Sequence, residues 1–592
     1  MPENITARKF SLVVKQGFER NRRFARARAM FIKEYVGKYY AQQYGVTGEE
    51  PINLIFNTIR AMVPNLVMRS GVNKVGTDII PYRDYAYLWG LGLDKLDRKI
   101  EFAETLRGGI VDAFFLMAIF KTGLADSGKL LNFGDMLVDE GQVYTDVVDF
   151  DDITFDPVCK DYRNYAFMGD RNRVPRQLLL DDDEFDHDLV MKLPKSTHPD
   201  ASKKIEMISR RNISDQEMYE LQDFVDVVEC YVPDANALLT IPDPQQIIMD
   251  DYLAARDFYG PKEGPYDVLA LTQPVPGNPY PVAPVGVFYD LHKMANRMMV
   301  KLMNQADRQK DLGVYDPAGA DEAEDIRTAE DGDMIAGAPD TVKVISFGGQ
   351  NQKSEVMLDK IQVWTNYMSG NPDQVAGLAS QAESATQANI LQANSTITIE
   401  DARGMVYNLA AKTSRKRAWY MHTDPFIDVP LSRRKPGGEY AQLQLTPEQR
   451  RGDWLDYTFT IKARSMSRLD PAVRTKRIVE FGTNIVPSIM NSAAIAQQMG
   501  REFNIEAALT DIADEQGILE DVQDWLVDPQ LMQRLQLVQQ MGPQPAGKAQ
   551  MAGPTAGQGN QIKRQTGFQE RKQVEQIGAN ETQSARTSEP GV

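Results

Sequence analysis

The stretch from Val285 to His422 leaves this chain the least freedom. Val287, Phe288, Leu291, Met294, Ala295, Met298, Leu302 and Ala306 step by three and four. That spacing predicts an amphipathic helix of about 30 Å, with Asp290, Lys293, Arg297, Lys301 and Asn304 on its polar side. Met357, Ile361, Trp364 and Met368 repeat the pattern on a returning helix, the expected partner of the first. Between the two lies a strongly acidic excursion holding Asp321, Glu322, Glu324, Asp325, Glu330, Asp331 and Asp333. Within it only VYDP and VKVISF read as strands, with Met334 and Ile335 as a candidate third. An ordinary helical hairpin in a globular core satisfies the pattern. The excursion, however, is too poor in apolar residues to stand alone, which points to identical neighbours packed beside it.

A small, glycine-containing segment, NPDQVAGLASQ, follows, and then a long helix running to His422. Thr396, Ile397, Thr398 and Ile399 interrupt its better helix formers, so a kink or register change is expected there. Beyond it Ala402, Met405, Val406, Leu409 and Thr413 form an apolar stripe. Lys412, Arg415, Lys416 and Arg417 make the end basic, which suits a helix C-terminus; contact with phosphate is the alternative.

At 592 residues the chain exceeds what one core supports, so two or more units are expected. A net charge of −17 argues against wrapping nucleic acid on a dominant basic face. One segment runs the other way: residues 1–44 read as helical and carry Arg8, Lys9, Lys15, Arg20, Arg22, Arg23, Arg26, Arg28, Lys33 and Lys38. A solvated face or a subunit interface is the commoner use of such a run; contact with nucleic acid or an acidic partner is the other. Cys159 and Cys230 lie far apart without a CxxC, and His187, His198, His292 and His422 are scattered, so neither a disulfide framework, a metal centre nor a cofactor site is expected. The start shows no signal-peptide pattern, and the most apolar run, Gly109–Phe120, is too short to span a bilayer. A soluble, intracellular protein with no membrane partner is expected.

The remaining order is mixed. Helices are expected at Glu50–Ser70, ended or kinked by Pro64, and at Asp94–Lys121. Strands are expected within Val138–Phe155, at Asn164–Asp170, as a pair over Phe224–Ile241 and at Trp454–Arg464. Pro175–Met191 reads as charged helix, Asp470–Val527 as helix, and Gln539–Val592 as a flexible polar tail. The fold class expected is α+β, mainly helical.

Three places invite an enzyme reading. GLADSGKL, Gly123–Leu130, departs from the phosphate-binding loop where Leu130 replaces the magnesium-binding hydroxyl. Asp181, Asp182, Asp183, Glu184, Asp186, His187 and Asp188 could hold a hard cation, but a charged loop is commoner. Asp149, Asp151 and Asp152 could mimic a nuclease site, yet no lysine follows at catalytic spacing. A metal-dependent nuclease or NTPase stays as the alternative class; no catalytic constellation is assigned.

The order of elements resembles the portal, or head-to-tail connector, proteins of tailed bacteriophages, nearest the short-tailed podovirus type. INLIFNTIRAMVPNLV, ITFDPVCKDYRNYAFMGDRNRVPRQLL, YPVAPVGVFYDLHKMANRMMVKLMNQAD and SATQANILQANSTI carry the resemblance by their order and spacing. It implies a portal-type subunit with wing, stem, clip and crown, assembling into a twelve-fold ring at one capsid vertex. Residues 1–284 would be wing, 285–311 and 352–370 the stem helices, and 312–351 the clip. Residues 371–387 would be the tunnel loop, 388–425 the long kinked helix, 426–470 a wing β segment, 471–530 the crown and 531–592 the tail. Double-stranded DNA would pass through the channel during packaging and ejection. The clip's acidic rim would dock the terminase large subunit and then tail adaptor or head-completion proteins. Major capsid and scaffolding proteins would be further partners, in the virion and in the host cytoplasm during assembly. Asn371, Gln374, Ser380 and Gln381 would touch DNA from the loop, with Lys412, Arg415, Lys416 and Arg417 as further phosphate contacts. No hydrolytic chemistry is implied for the subunit. Another oligomeric virion adaptor fits the same cues less closely.

Overall fold

The computed structural model describes residues 6–43, 52–125, 127, 130–133, 136–196, 223–273, 275–315, 317–330, 334, 342–347, 352–370, 385–427, 429–434, 440–445, 450–462, 466, 478–498, 505, 508–509, 512–513 and 561–562. Helix and sheet are mixed, as an α+β chain requires. The chain divides into two compact units, one of residues 1–28, 62–284 and 396–592, the other of residues 29–61 and 285–395.

In chain order the helices are α1 (Ala7–Gln43), α2 (Leu54–Leu66), α3 (Arg83–Lys99), α4 (Phe102–Phe115), α5 (Arg176–Leu180), α6 (His187–Met191), α7 (Pro284–Asp307), α8 (Ala320–Thr328), α9 (Gln352–Ser369), α10 (Ala385–Thr423) and α11 (Val486–Gln498). The strands of the first unit begin with β1 (Asn73–Gly76), β2 (Ala118–Ala125), β3 (Leu130–Phe133), β4 (Met136–Asp139), β5 (Gln142–Val148) and β6 (Ile153–Phe155). They continue with β7 (Met168–Pro175), β8 (Phe224–Val232), β9 (Ala237–Pro242), β10 (Ala254–Asp257) and β11 (Tyr266–Leu269).

Two antiparallel sheets organise the first unit. One has the order β10-β9-β8-β7-β6, the other β11-β2-β5. Leu116, Ile119, Phe150, Ile153, Phe155, Met168, Tyr231, Leu238 and Tyr266 form a continuous core drawn from both. Phe10, Val14 and Phe18 of α1, spaced by four, pack on Phe167, Val228, Leu239 and Ile241. The β8–β9 turn places Pro233–Ala235 in a 3₁₀ turn and Asn236 in the left-handed region, where asparagine is tolerated.

The expected Asp94–Lys121 helix is three elements. Glu101, at φ 50°, breaks it into α3 and α4, and Ala118–Ala125 is a strand buried along its whole length. A continuous apolar run is compatible with either a buried helix or a two-face-buried strand, and pairing with β5 and β11 decides it here. Pro64 does not end α2 at once; the helix closes two residues later at Leu66. The strand expected at Asn164–Asp170 starts at Met168 and runs on to Pro175. Within the polar tail, Gln561–Ile562 pairs in parallel with Leu137–Val138 of β4.

In the second unit, β12 (Lys310–Tyr315) and β13 (Val342–Phe347) pair antiparallel, with Lys310 opposite Phe347. The pair joins the end of α7 to the start of α9. The α7 stripe differs from the expected one. Val285, Phe288, His292, Ala295, Asn296 and Leu302 are buried, whereas Val287 and Met294 are 47% and 43% exposed. The cause is the N-terminal segment packed on it. The Asn296 amide accepts from the Ile52 N–H and donates to its carbonyl, both at 2.9 Å. Lys293 pairs with Glu34 at 3.2 Å, and Phe31 meets Tyr289 edge-on. Among the described side chains of α9 only Ser354, Ile361 and Thr365 are buried; Trp364, Tyr367 and Met368 are exposed.

Candidate functional site

The basic end of α10 is built inward. Val406, Ala410, Thr413, Ala418 and Tyr420 are fully buried, so α10 threads the core of the first unit and carries its cations with it. Arg417 has no exposed surface. Its guanidinium lies 3.1 Å from Asp97, donates to the Thr145 hydroxyl at 3.1 Å and sits 3.9 Å over the Phe102 ring. Burial lowers the Arg417 pKa, with Asp97 and Asp267 opposing. Lys416 donates to the Tyr266 carbonyl at 2.8 Å and pairs with Asp267 at 2.9 Å. Neither is available to phosphate: an uncompensated buried carboxylate is costly, and both cations are committed to one. Arg415, nearer the surface, pairs with Glu263 at 3.2 Å and lies 4.5 Å over Trp454. Lys412 is exposed.

The acidic excursion keeps its charge in solvent. Asp321, Glu324 and Asp325 are exposed on α8, which also contains Glu322; Glu330 is exposed just after it. Glu324 is held by Arg327 one turn on. Asp331 and Asp333 lie outside the described residues, and Met334 is exposed and outside any strand. Asn371, Gln374, Ser380 and Gln381 also lie outside the described residues, between the ends of α9 and α10.

The enzyme-like segments resolve into structure. Gly123 lies inside β2, and Leu130 opens β3, a strand, where a phosphate loop needs a helix whose N-terminus faces the anion. Ser127 donates twice to Asp139, through its backbone at 2.7 Å and its hydroxyl at 2.9 Å. Asp149 and Asp112 bind Arg28 at 3.2 and 2.9 Å, and Asp152 binds Arg171 at 2.7 Å. In the 181–188 run, Asp186 caps α6 and Glu184 reaches Arg256. Among the described residues no group of three His, Cys, Asp or Glu is placed to hold a metal ion.

No family model matches the chain, and no curated protein matches it.

Sequence reading missed two charged clusters. In the first, Lys121 of β2 donates to Asp170 of β7 at 2.8 Å and to Glu229 of β8 at 2.9 Å. Arg256 of β10 reaches the other Glu229 oxygen at 2.9 Å, and the Tyr266 hydroxyl donates to Asp170. Burial alone lowers a lysine pKa, but Asp170 and Glu229 outweigh it and Lys121 is raised. Burial likewise raises Glu229, while Lys121 and Arg256 more than reverse it. Two cations and two carboxylates cancel, and the cluster joins the two sheets. The second is a cavity of about 250 Å³ lined by Arg28, Glu104, Asp112, Asp146 and Asp149 among others. Burial lowers the Arg28 pKa, but Asp149, Asp112 and Asp151 hold it above the usual arginine range. The available signal was charge inside apolar strands: Lys121, Asp170 and Glu229 each stand where alternation calls for core.

Proposed function

We propose that the chain is a portal-type subunit that assembles into a ring around double-stranded DNA at a capsid vertex of a short-tailed bacteriophage. The ring passes the genome in packaging and ejection and docks terminase and then tail adaptors. The observation that carries this reading is the apolar surface that α7 and α9 leave in solvent in a single chain. Val287, Met294, Met303, Val356, Val363, Trp364, Tyr367 and Met368 are all about half exposed or more. Burying such side chains contributes roughly 1 kcal/mol each. The total, on the order of 8 kcal/mol, is comparable with the estimated 4–15 kcal/mol cost of association. A single pair would be marginal; a closed ring, in which every subunit gains two contacts, is favoured.

Charge fits the same reading. A net charge of −17, with exposed Asp321, Glu324 and Asp325 on α8, repels phosphate and lets DNA slide rather than stick. With Lys416 and Arg417 enclosed, DNA contact from α10 falls to Lys412 and the half-exposed Arg415, and otherwise to Asn371, Gln374, Ser380 and Gln381 of the loop. Wing, stem, clip and crown keep the boundaries given above as part of the proposal. Among the described residues no helix is long and apolar enough to cross a membrane. Deleting Pro372–Ser380 tests the loop: rings are expected to form while DNA packaging or retention fails, and unimpaired packaging would refute its role.

A further inference from the structure

α1 sorts its cations by side. Arg20 turns inward and donates to the carbonyls of Pro157 at 2.5 Å and Cys159 at 3.1 Å, and Arg28 is bound by Asp112 and Asp149. Arg8, Lys15, Arg22 and Arg26 lie on the opposite side, and at 100° per residue they fall within about 40° of one another. They make one ridge about 27 Å long, with Arg23 beside it. Lys15 is half-buried and the other four are exposed. Lys15, Arg22, Arg23 and Arg26 make no ion pair among the described residues; Arg22 reaches only the Gln245 side chain at 3.3 Å. Arg8 meets Asp250 at 3.3 Å with both groups exposed, a pair that costs little to open. Glu19 is the one acid between Ala7 and Arg28.

We infer that this ridge is a docking face for the phosphate backbone of duplex DNA. It goes beyond the channel reading, because it needs neither a ring nor a bore. The adjoining side of α1 is fixed: Phe10, Val14 and Phe18 are in the core, and Asn21 donates to the Ile153 carbonyl at 2.8 Å. The cations are therefore presented on a rigid line. Three of the four ridge residues and the flanking Arg23 are arginines, whose planar fork matches phosphate oxygens in pairs. A line of about 27 Å runs past roughly eight phosphates of one strand at 3.4 Å each. On a chain of net charge −17, a ridge whose own helix carries one acid over this span, with the exposed Asp250 paired at its Arg8 end, sets this face apart.

The test is fluorescence anisotropy of a labelled duplex of about 30 base pairs with the full chain, titrated across 50–200 mM salt. Four phosphate contacts predict a slope near −3.6 in log K against log salt, a loss of about 100-fold over that range. The triple variant Arg22→Gln, Arg23→Gln, Arg26→Gln is expected to bind at least tenfold more weakly, with the slope reduced by about 2–3 and thermal unfolding unchanged. Wild-type affinity and slope in the triple variant, or no DNA binding by the wild type at the lowest salt, overturns the assignment. Competition by polyglutamate as effective as by duplex DNA also overturns it, giving the face to an acidic protein instead. Micrographs of the same samples separate this from the channel reading: rings without a DNA response remove the α1 face alone.

Discussion

At the scale of single residues, burial rather than charge decides what a cation does. Arg417 and Lys412 stand five positions apart on one helix, yet Arg417 is enclosed by Asp97, Thr145 and Phe102 while Lys412 is in solvent. Arg417→Ala leaves Asp97 buried without its cation and is expected to cost about 3–5 kcal/mol in denaturant unfolding. Lys412→Ala should stay within about 0.5 kcal/mol. Equal effects of the two would contradict the inward packing of α10. Asp94 gives a pH signature. It accepts from the Asn73 backbone at 2.7 Å, but burial dominates and raises its pKa to about 6. The folded chain therefore holds this proton at pH values where the unfolded chain has released it. Its contribution favours folding at low pH, declines as pH rises from about 4 to about 6, and is fully unfavourable above that. Asp94→Asn should flatten this part of the stability profile between pH 4 and 7; an unchanged profile would show that burial does not control the carboxyl.

At the scale of elements, the sequence was most legible where helical spacing or a turn marks the element. The α7 and α9 helices, the β12–β13 pair and the β8–β9 hairpin fall close to where spacing and alternation put them, although both strands of that hairpin are buried. The buried strand β2 was not legible in the same way. Ala118–Ala125 is buried on both faces, so its apolar run carries no period, and only partner strands mark it as β2. The α7 stripe was rotated for a different reason: two polar residues occupy core positions, Asn296 because the Ile52 backbone needs partners and His292 beside it, 3.8 Å from Glu34. A period count scores them as surface. Asn296→Ala should destabilise the chain by about 2–3 kcal/mol by orphaning an N–H and a C=O. Met294→Ala, at a position the spacing put in the core, should cost well under 1 kcal/mol in the unassembled chain. Thermal or denaturant unfolding of the two variants decides which register of α7 is buried.

For the whole molecule, little of the candidate site was readable residue by residue. The acidic character of the excursion is plain in the sequence, and α8 leaves Asp321, Glu324 and Asp325 exposed. The fate of the α10 cations was hidden, because their partners Asp97, Asp267 and Thr145 lie between 149 and 320 positions away. What joins these parts into one functional proposal is the apolar surface that α7 and α9 leave exposed. Trp364→Glu with Tyr367→Glu should block assembly while leaving the subunit folded, since both side chains are exposed. The most direct measurement is electron microscopy of the purified full-length protein at assembly concentrations. Closed rings with an axial channel are expected, lost in the Trp364/Tyr367 double variant. A stable monomer or dimer from the wild-type chain would contradict the portal reading.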